Sequence, residues 1–338
     1  MADLGVGVVG CGGLACNVHL RVLRRLTGAR VVAVADPDAA ARERARALAP
    51  EAYAYASAHE LLEHPGLDAV VVASPSPLHA EHAGAVLAAG RHLYLEKPPA
   101  TEVEAARGLV AAGETAGVVA AVGFNRRFHP LVAAAGAAIA EGRLGALQGA
   151  MGSFSEPCDP QGWRATPGGG GPLLDLAIHH VDTFRWLLRD EAAWVDGTIT
   201  DAGRLAYLRV GFAGGAVAAL MASFTNRSDF LVLEGAHGSL EVNRYARRLR
   251  LTRPAPGFRA RRVRLRPTWE ELRWRALALV RPANDPSFGR ALEGWIAAIR
   301  GERGDLPTLA DGLAALEVVA AAAEAAATRR RVELRSAS

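Results

Sequence analysis

Lysine is all but missing from this chain. Lys97 is the only lysine among 338 residues, and every other one of the 39 Lys+Arg positions is arginine. At a plain surface position the exchange costs little. A retained lysine therefore marks a place that needs a compact amine with an adjustable proton, not a planar and permanently charged guanidinium. Cysteine is scarce too. Cys11, Cys16 and Cys158 form no C-x-x-C pair and no even-numbered framework, which excludes a disulfide scaffold and points to a reducing cytoplasm. No uninterrupted apolar run reaches the roughly 20 residues of a membrane span. No basic leader with a cleavage site precedes the first apolar strand, so no secretory signal is expected. These absences predict a cytoplasmic protein with no membrane partner.

What is present is an α/β composition: 50% hydrophobic, 22% charged and rich in Gly and Ala, enough for two domains with a real core. The formal charge is +4, and much of the excess lies between Arg244 and Arg281. No nucleic-acid recognition motif accompanies that charge, so solvated strand faces are expected and a nucleic-acid partner is not.

The first third alternates short apolar strands with helical patterns. Leu4–Gly10, Ala29–Asp36, Asp68–Ser74, His92–Lys97 and Val118–Phe124 read as buried parallel strands. Helices are expected near Leu14–Leu26, Ala39–Leu48, Leu78–Ala89 and Thr101–Ala116, with Gly90 and Gly117 as stops. A weaker strand and a short helix fall within Ala52–Glu63. This is the pattern of a doubly wound parallel sheet. Near Asn125 the pattern changes. After helices at Pro130–Glu141 and Leu173–Leu188 and a strand at Leu147–Phe154 come strands that alternate or pair as hairpins: Tyr207–Phe212, Ala216–Phe224, Phe230–Glu234 with Ser239–Asn243, and Arg248–Thr252 with Arg261–Arg266. A mostly antiparallel open sheet is expected there, then helices at Phe288–Arg300 and Leu309–Ala327. Residues 1–124 and 125–338 read as two domains.

The first strand runs into Gly10-Cys11-Gly12-Gly13-Leu14-Ala15, a G-x-G-x-x-A loop that opens a helix. Its first Gly permits the tight turn, its second lets the backbone approach a pyrophosphate, and its small last residue allows helix–strand packing. Asp36 closes the second strand, where a carboxylate accepts the ribose hydroxyls of adenosine and repels a 2′-phosphate. With Pro37 next, NAD is preferred over NADP, although Arg42 and Arg44 lie within reach of a phosphate.

Two further clusters carry chemistry. Lys97, in Leu95-Glu96-Lys97-Pro98-Pro99, falls at the carboxyl end of a parallel strand, where open sheets bind ligands. Gly168-Gly169-Gly170-Gly171-Pro172 leads into a helix on which Asp175, His179 and Asp182 stand at i, i+4 and i+7, on one face. Carboxylates beside a histidine orient it and raise its basicity, which suits removal of a hydroxyl proton. Metal ligation is the rival reading, but no further Cys or His cluster completes a ligand set, so no metal is expected.

Together these residues resemble the Gfo/Idh/MocA family of nicotinamide-dependent oxidoreductases over essentially the whole chain. The specific elements are Glu96-Lys97-Pro98 and Asp175-x-x-x-His179, supported by Ala73-Ser74-Pro75-Ser76-Pro77-Leu78-His79 and Gly123-Phe124-Asn125-Arg126-Arg127-Phe128. The resemblance implies a Rossmann domain joined to a mostly antiparallel substrate domain, with the last helices packed back on the first domain and the sheet building homodimers or homotetramers. It implies that Lys97 hydrogen-bonds and tunes the reacting hydroxyl, that His179 takes its proton, and that Asp175 orients the pair and binds a neighbouring hydroxyl. Asn125 and Arg126 would line the substrate pocket. Ser74, Pro75 and His79 would sit by the nicotinamide, and Trp163 and Arg164 would contact substrate. Glu96 would either fix Lys97 or be a plain strand-end acid. Ser76 departs from the Asn that many members carry there, which weakens the match at that loop. The implied reaction is hydride transfer between NAD and a secondary alcohol or ketone of a sugar, cyclitol or sugar derivative. NAD-dependent glycoside cleavage by transient oxidation and elimination uses the same motifs, and a non-catalytic dinucleotide sensor is a third reading.

Overall fold

The computed structural model describes residues 2–159, 164, 169–255, 259–263, 272, 285–302 and 304–334. Trp163, Gly168 and the strand end at residues 264–266 lie outside the described residues, as does most of the segment 264–284. The chain divides into two compact units, one of residues 1–125 with 288–316 and the other of residues 126–287 with 317–338.

In the first unit, the described residues form a six-stranded sheet in the order β3-β2-β1-β4-β5-β6. Its strands are β1 (Leu4–Val9), β2 (Ala29–Ala35), β3 (Tyr53–Tyr55), β4 (Ala69–Val72), β5 (His92–Leu95) and β6 (Ala120–Val122). Every pairing is parallel. Val6, Val8, Val70, Val71, Leu93 and Leu95 are fully buried, as strands covered on both faces require, which is why they read as unbroken apolar runs. Between the strands run the helical segment Ala15–His19 with α1 (Leu20–Leu23), α2 (Ala39–Leu48), α3 (Ala58–Leu62), α4 (His79–Ala88) and α5 (Val103–Ala116). Local chemistry fixes their ends. Asp38 caps α2 by accepting from the Ala40 amide at 2.9 Å, and Ser57 and Glu60 form a capping box on α3. Gly90 and Gly117 follow α4 and α5 with φ of +63° and +62°, the left-handed stop that Gly tolerates.

Later chain completes this unit. Helix α8 (Ser287–Ile299) sets fully buried Trp295 against Tyr94, with ring centroids 5.6 Å apart. At the start of helix α9 (Leu309–Thr328), Leu309 packs so closely on Gly113 that a Cβ there would lie 2.8 Å from it.

The second unit holds, among the described residues, a nine-stranded sheet in the order β14-β13-β12-β11-β7-β10-β9-β8-β15. Strand β7 is Leu147–Ser155, β9 is Leu205–Phe212, β10 is Val217–Ser223, β11 is Ser228–Gly235, β12 is Gly238–Asn243, β13 is Arg248–Ala255 and β14 is Arg259–Val263. Only β7 and β10 pair in parallel, so the sheet is mostly antiparallel, as expected. Helices α6 (Pro130–Ala140) and α7 (Ile178–Leu188) cover one face. Strand β8 (Ala192–Thr200) was not expected from the sequence. Only Val195 is buried along it, so it lacks the two-residue alternation that marks a half-buried strand. Its place comes from pairing with β9 and with the short edge strand β15 (Val332–Glu333). No helix among the described residues is long and apolar enough to cross a membrane.

Candidate active site

In the order β3-β2-β1-β4-β5-β6 the chain reverses direction between β1 and β4, and ligands bind outside the carboxyl ends of strands at such a point. Gly10, Asp36, Ser74 and Lys97 all follow strand ends on that edge. Gly10 has φ of +90°, and a Cβ there would sit 2.5 Å from the Ser74 amide nitrogen. Both its conformation and its neighbour demand glycine. Gly12, Gly13 and Leu14 are exposed, and a Cβ on Gly12 would meet nothing within 4 Å. Ala15 is fully buried, leaving only a methyl between helix and sheet. Asp36 stiffens the loop from behind: one carboxylate oxygen accepts from the Cys11 amide at 2.8 Å and the other from the Asp38 amide at 2.9 Å. Each oxygen keeps a second lone pair for a ribose hydroxyl. Exposed Pro37 follows. Arg42 donates to the Asp36 and Pro37 carbonyls at 2.7 and 3.1 Å. Burial, followed by the Asp36 charge, pushes the Cys11 thiol up to about 12, so it is no nucleophile.

The Lys97 turn is built as firmly. Glu96 is buried, accepts from His19 Nε2 at 2.8 Å and from the Lys97 amide at 3.2 Å. Burial pushes its pKa up, but the hydrogen bond and charge of His19 and the charge of Lys97 outweigh this and hold it below the usual value. Lys97 is half-buried and precedes a cis peptide to Pro98. His79, 2% exposed, bridges the Pro98 carbonyl (Nδ1, 2.6 Å) and the Ser74 carbonyl (Nε2, 2.8 Å). It spans the two loops, and burial lowers its pKa, so the neutral ring donates to one carbonyl and lies against the other. Ser74 Oγ meets His82 Nδ1 at 2.9 Å. Pro75 is exposed, and Ser76 is buried.

In the second unit, a π-helical turn, Leu173–Ala177, opens helix α7, so the even step that places Asp175, His179 and Asp182 on one face does not run through this segment. Gly170 and Gly171 before it have φ of +73° and +60°. Asp175 accepts two hydrogen bonds from Arg164, one of 2.7 Å from Nε and a second from Nη2. Arg164 also lies 3.7 Å from Glu156. His179 is 8% exposed and meets the Phe154 ring edge-on at 5.8 Å between centroids. Asp182 is fully buried and holds Arg127 through two hydrogen bonds.

Asn125 and Arg126 open a short helical turn and are both buried. Arg126 donates to Asp229 at 2.7 Å and stacks 3.7 Å above the Phe154 ring, so its guanidinium is held by the protein itself. Asp229 takes Arg244 at 2.7 Å on its other oxygen, and Arg244 continues to Asp285. The motif reading gave no part to His19, Asp229 or Arg244. A buried histidine in a helix opened by a Gly loop was the one signal available for His19. Asp229 and Arg244 lie in strands far apart in sequence and carried none.

A parallel sheet, an open Gly loop at its topological switch and an acid closing the second strand define a dinucleotide-binding Rossmann protein. Residues 4–124 match the model of an oxidoreductase family with an NAD-binding Rossmann fold, and residues 132–248 match the GFO/IDH/MocA C-terminal domain. The chain belongs to the Gfo/Idh/MocA family of oxidoreductases. It is 36% identical over 194 residues to a 1,5-anhydro-D-fructose reductase of Ensifer adhaerens, covering 55% of this chain and 57% of that protein. It is 36% identical over 190 residues to an inositol 2-dehydrogenase of Paracoccus denitrificans, covering 56% and 55%. The chain thus spans little more than half the length of these relatives. A solved structure of levoglucosan dehydrogenase in complex with NADH matches with a TM-score of 0.87 at 24% identity, over 98% of this chain and 99% of that one, a likeness of fold.

Proposed function

We propose that the protein transfers a hydride between NAD and a secondary alcohol or ketone of a sugar, cyclitol or sugar derivative. The observation that carries this reading is the placement of the chain's only lysine at the carboxyl end of β5, beside a buried Glu96–His19 pair. Relatives that reduce anhydrofructose or oxidise inositol support the substrate class. The Gly10–Ala15 loop and Asp36 would hold the dinucleotide, and the open space above Gly12 fits a pyrophosphate drawn against bare backbone amides. When bound, the nicotinamide supplies the hydride acceptor or donor. Lys97 hydrogen-bonds the reacting oxygen, His179 takes or returns its proton, and Asp175, fixed by Arg164, binds a neighbouring hydroxyl. Asp36 favours NAD because its charge opposes a 2′-phosphate.

The free thiols of Cys11, Cys16 and Cys158 are consistent with a cytoplasmic protein. Met151, Tyr207 and Val217, exposed on adjacent strands of the large sheet, support a homodimer or homotetramer formed through that face.

The test follows NADH absorbance with NAD or NADP over a panel of cyclitols, sugars, anhydrosugars and glycosides. Lys97→Ala and His179→Ala should each lower turnover about 10²-fold or more, the usual cost of a lost acid–base group. Near-normal turnover in both variants refutes the assignment. Release of an aglycone without net NADH identifies glycoside cleavage instead.

A further inference from the structure

Lys97 is the last member of a closed ring of contacts inside the first unit. The ring starts at Gly10, whose missing Cβ lets the Ser74 amide approach. It passes through the Ser74 carbonyl to His79 and from His79 to the Pro98 carbonyl. From the Lys97 amide it goes to one oxygen of Glu96, and from the other oxygen to His19 Nε2 at 2.8 Å. His19 lies on the helical segment Ala15–His19 that continues the Gly10–Ala15 loop, which closes the ring. Gly123 packs against the Glu96 carboxylate so closely that a Cβ there would lie 3.0 Å from the carboxylate carbon. His19 is fully buried, edge-on to Tyr94 and Phe288. A leucine would fill such an apolar site more cheaply than an imidazole that must keep a hydrogen bond, so the imidazole is there for Glu96.

We propose that His19 is a positioning residue for Lys97, acting through Glu96, and that the dinucleotide loop and the lysine turn are thereby held as one body. The role rests on Lys97 acting at the reacting hydroxyl. Its consequence is that occupation of the loop is felt at the lysine, and that loosening His19 misplaces the amine without touching either ligand directly.

The single lysine makes this testable without any turnover. Protein grown on ¹⁵N-lysine gives one backbone amide resonance, that of Lys97. We expect NADH to move this resonance in the wild type. His19→Leu should move the ligand-free resonance upfield, as the bond to the ionised carboxylate loosens. His19→Gln, whose amide nitrogen takes the place of Nε2, should restore it. Gly123→Ala, whose methyl would press on the Glu96 carboxylate, provides a second displacement if His19→Leu does not fold. In turnover, His19→Leu should lower kcat about 10- to 100-fold, as small misplacements of acting groups do, with substrate KM and NADH Kd within about threefold. A resonance unmoved in His19→Leu and Gly123→Ala overturns the proposal, as does a moved resonance with unchanged kcat. A moved resonance in a protein that oxidises nothing on the panel leaves the relay standing and defeats the dehydrogenase reading instead.

Discussion

Replacing Asp229 by Asn tests whether the buried charges of the second unit are balanced as a set. Arg126, Asp229, Arg244 and Asp285 form a continuous chain of ion pairs, with Arg126 and Asp229 each 5% exposed. Two positive and two negative charges cancel. His129 and His180 beside them stay neutral at pH 7, because burial, together with the arginine charges, lowers each to about 3. Asp229→Asn keeps the shape and removes one negative charge, so one positive charge is left buried without a counterpart. Removing one partner of a buried pair costs about 3–5 kcal/mol, a large share of the roughly 5–15 kcal/mol that holds a protein folded. The assay is urea unfolding at pH 7, read by tryptophan fluorescence, for Asp229→Asn and for Arg126→Met/Asp229→Asn. The double variant is neutral again and should recover at least about 1 kcal/mol of the loss. Acid gives a second check. Burial raises the Asp229 pKa, but Arg126 and Arg244 outweigh it and hold it at about 2, against an ordinary 3.8. The native state therefore binds this proton less readily than the unfolded chain. Its contribution, roughly 2–3 kcal/mol at 1.36 kcal/mol per pH unit, is whole above about pH 4 and lost as pH falls towards 2. The gap between wild type and Asp229→Asn should narrow over that window. A loss under about 1 kcal/mol at pH 7, or a double variant no better than the single one, refutes the balanced-set reasoning.

Other perturbations probe the dinucleotide loop and the open sheet face. Gly10→Ala drives a methyl into the Ser74 amide at a φ of +90°, so NADH affinity by fluorescence titration should fall at least tenfold; unchanged affinity would mean the loop is not the binding element. Asp36→Ala removes the charge that opposes a 2′-phosphate and the partner of the Cys11 amide. NADH should bind more weakly and the NADPH-to-NADH affinity ratio should rise, whereas a constant ratio would remove Asp36 from cofactor choice. Met151→Lys puts a charge at the centre of the exposed sheet face; sedimentation velocity should then show a smaller assembly than the wild type, and an unchanged coefficient would place the contact elsewhere.

The parallel half of the fold was legible almost residue by residue, because strands buried on both faces and helices ended by Gly leave strong local signals. Ala39–Leu48 coincides with α2 as observed. The strand β8 was not legible, since its residues take their place from β9 and β15 and not from their own pattern. Among the candidate site residues, the Gly loop, Asp36, Lys97, Asp175 and His179 stand out in the sequence because glycine, a lone lysine and spaced acids are conspicuous in a line of text. What fixes those residues could not. Arg164 on Asp175, Arg127 on Asp182 and His19 on Glu96 join positions 11, 55 and 77 residues apart, and no local rule pairs them. The single-face reading of Asp175, His179 and Asp182 assumed a regular α-helix, and the π-helical turn at Leu173–Ala177 removed that assumption.

The order in which the ribosome delivers this chain does not match the order in which its units can close. The first unit includes residues 288–316, and Trp295 is the buried cover on Tyr94. Between Asn125 and Phe288 lie roughly 160 residues, about 10–30 s of synthesis at cellular rates. During that interval the six strands are complete, but the aromatic side of β5 and the His19–Glu96 pair lack their covering helix. The nascent protein thus carries an unfinished apolar seam through about half of its translation, until Trp295 is delivered between the two stretches of chain that make up the second unit.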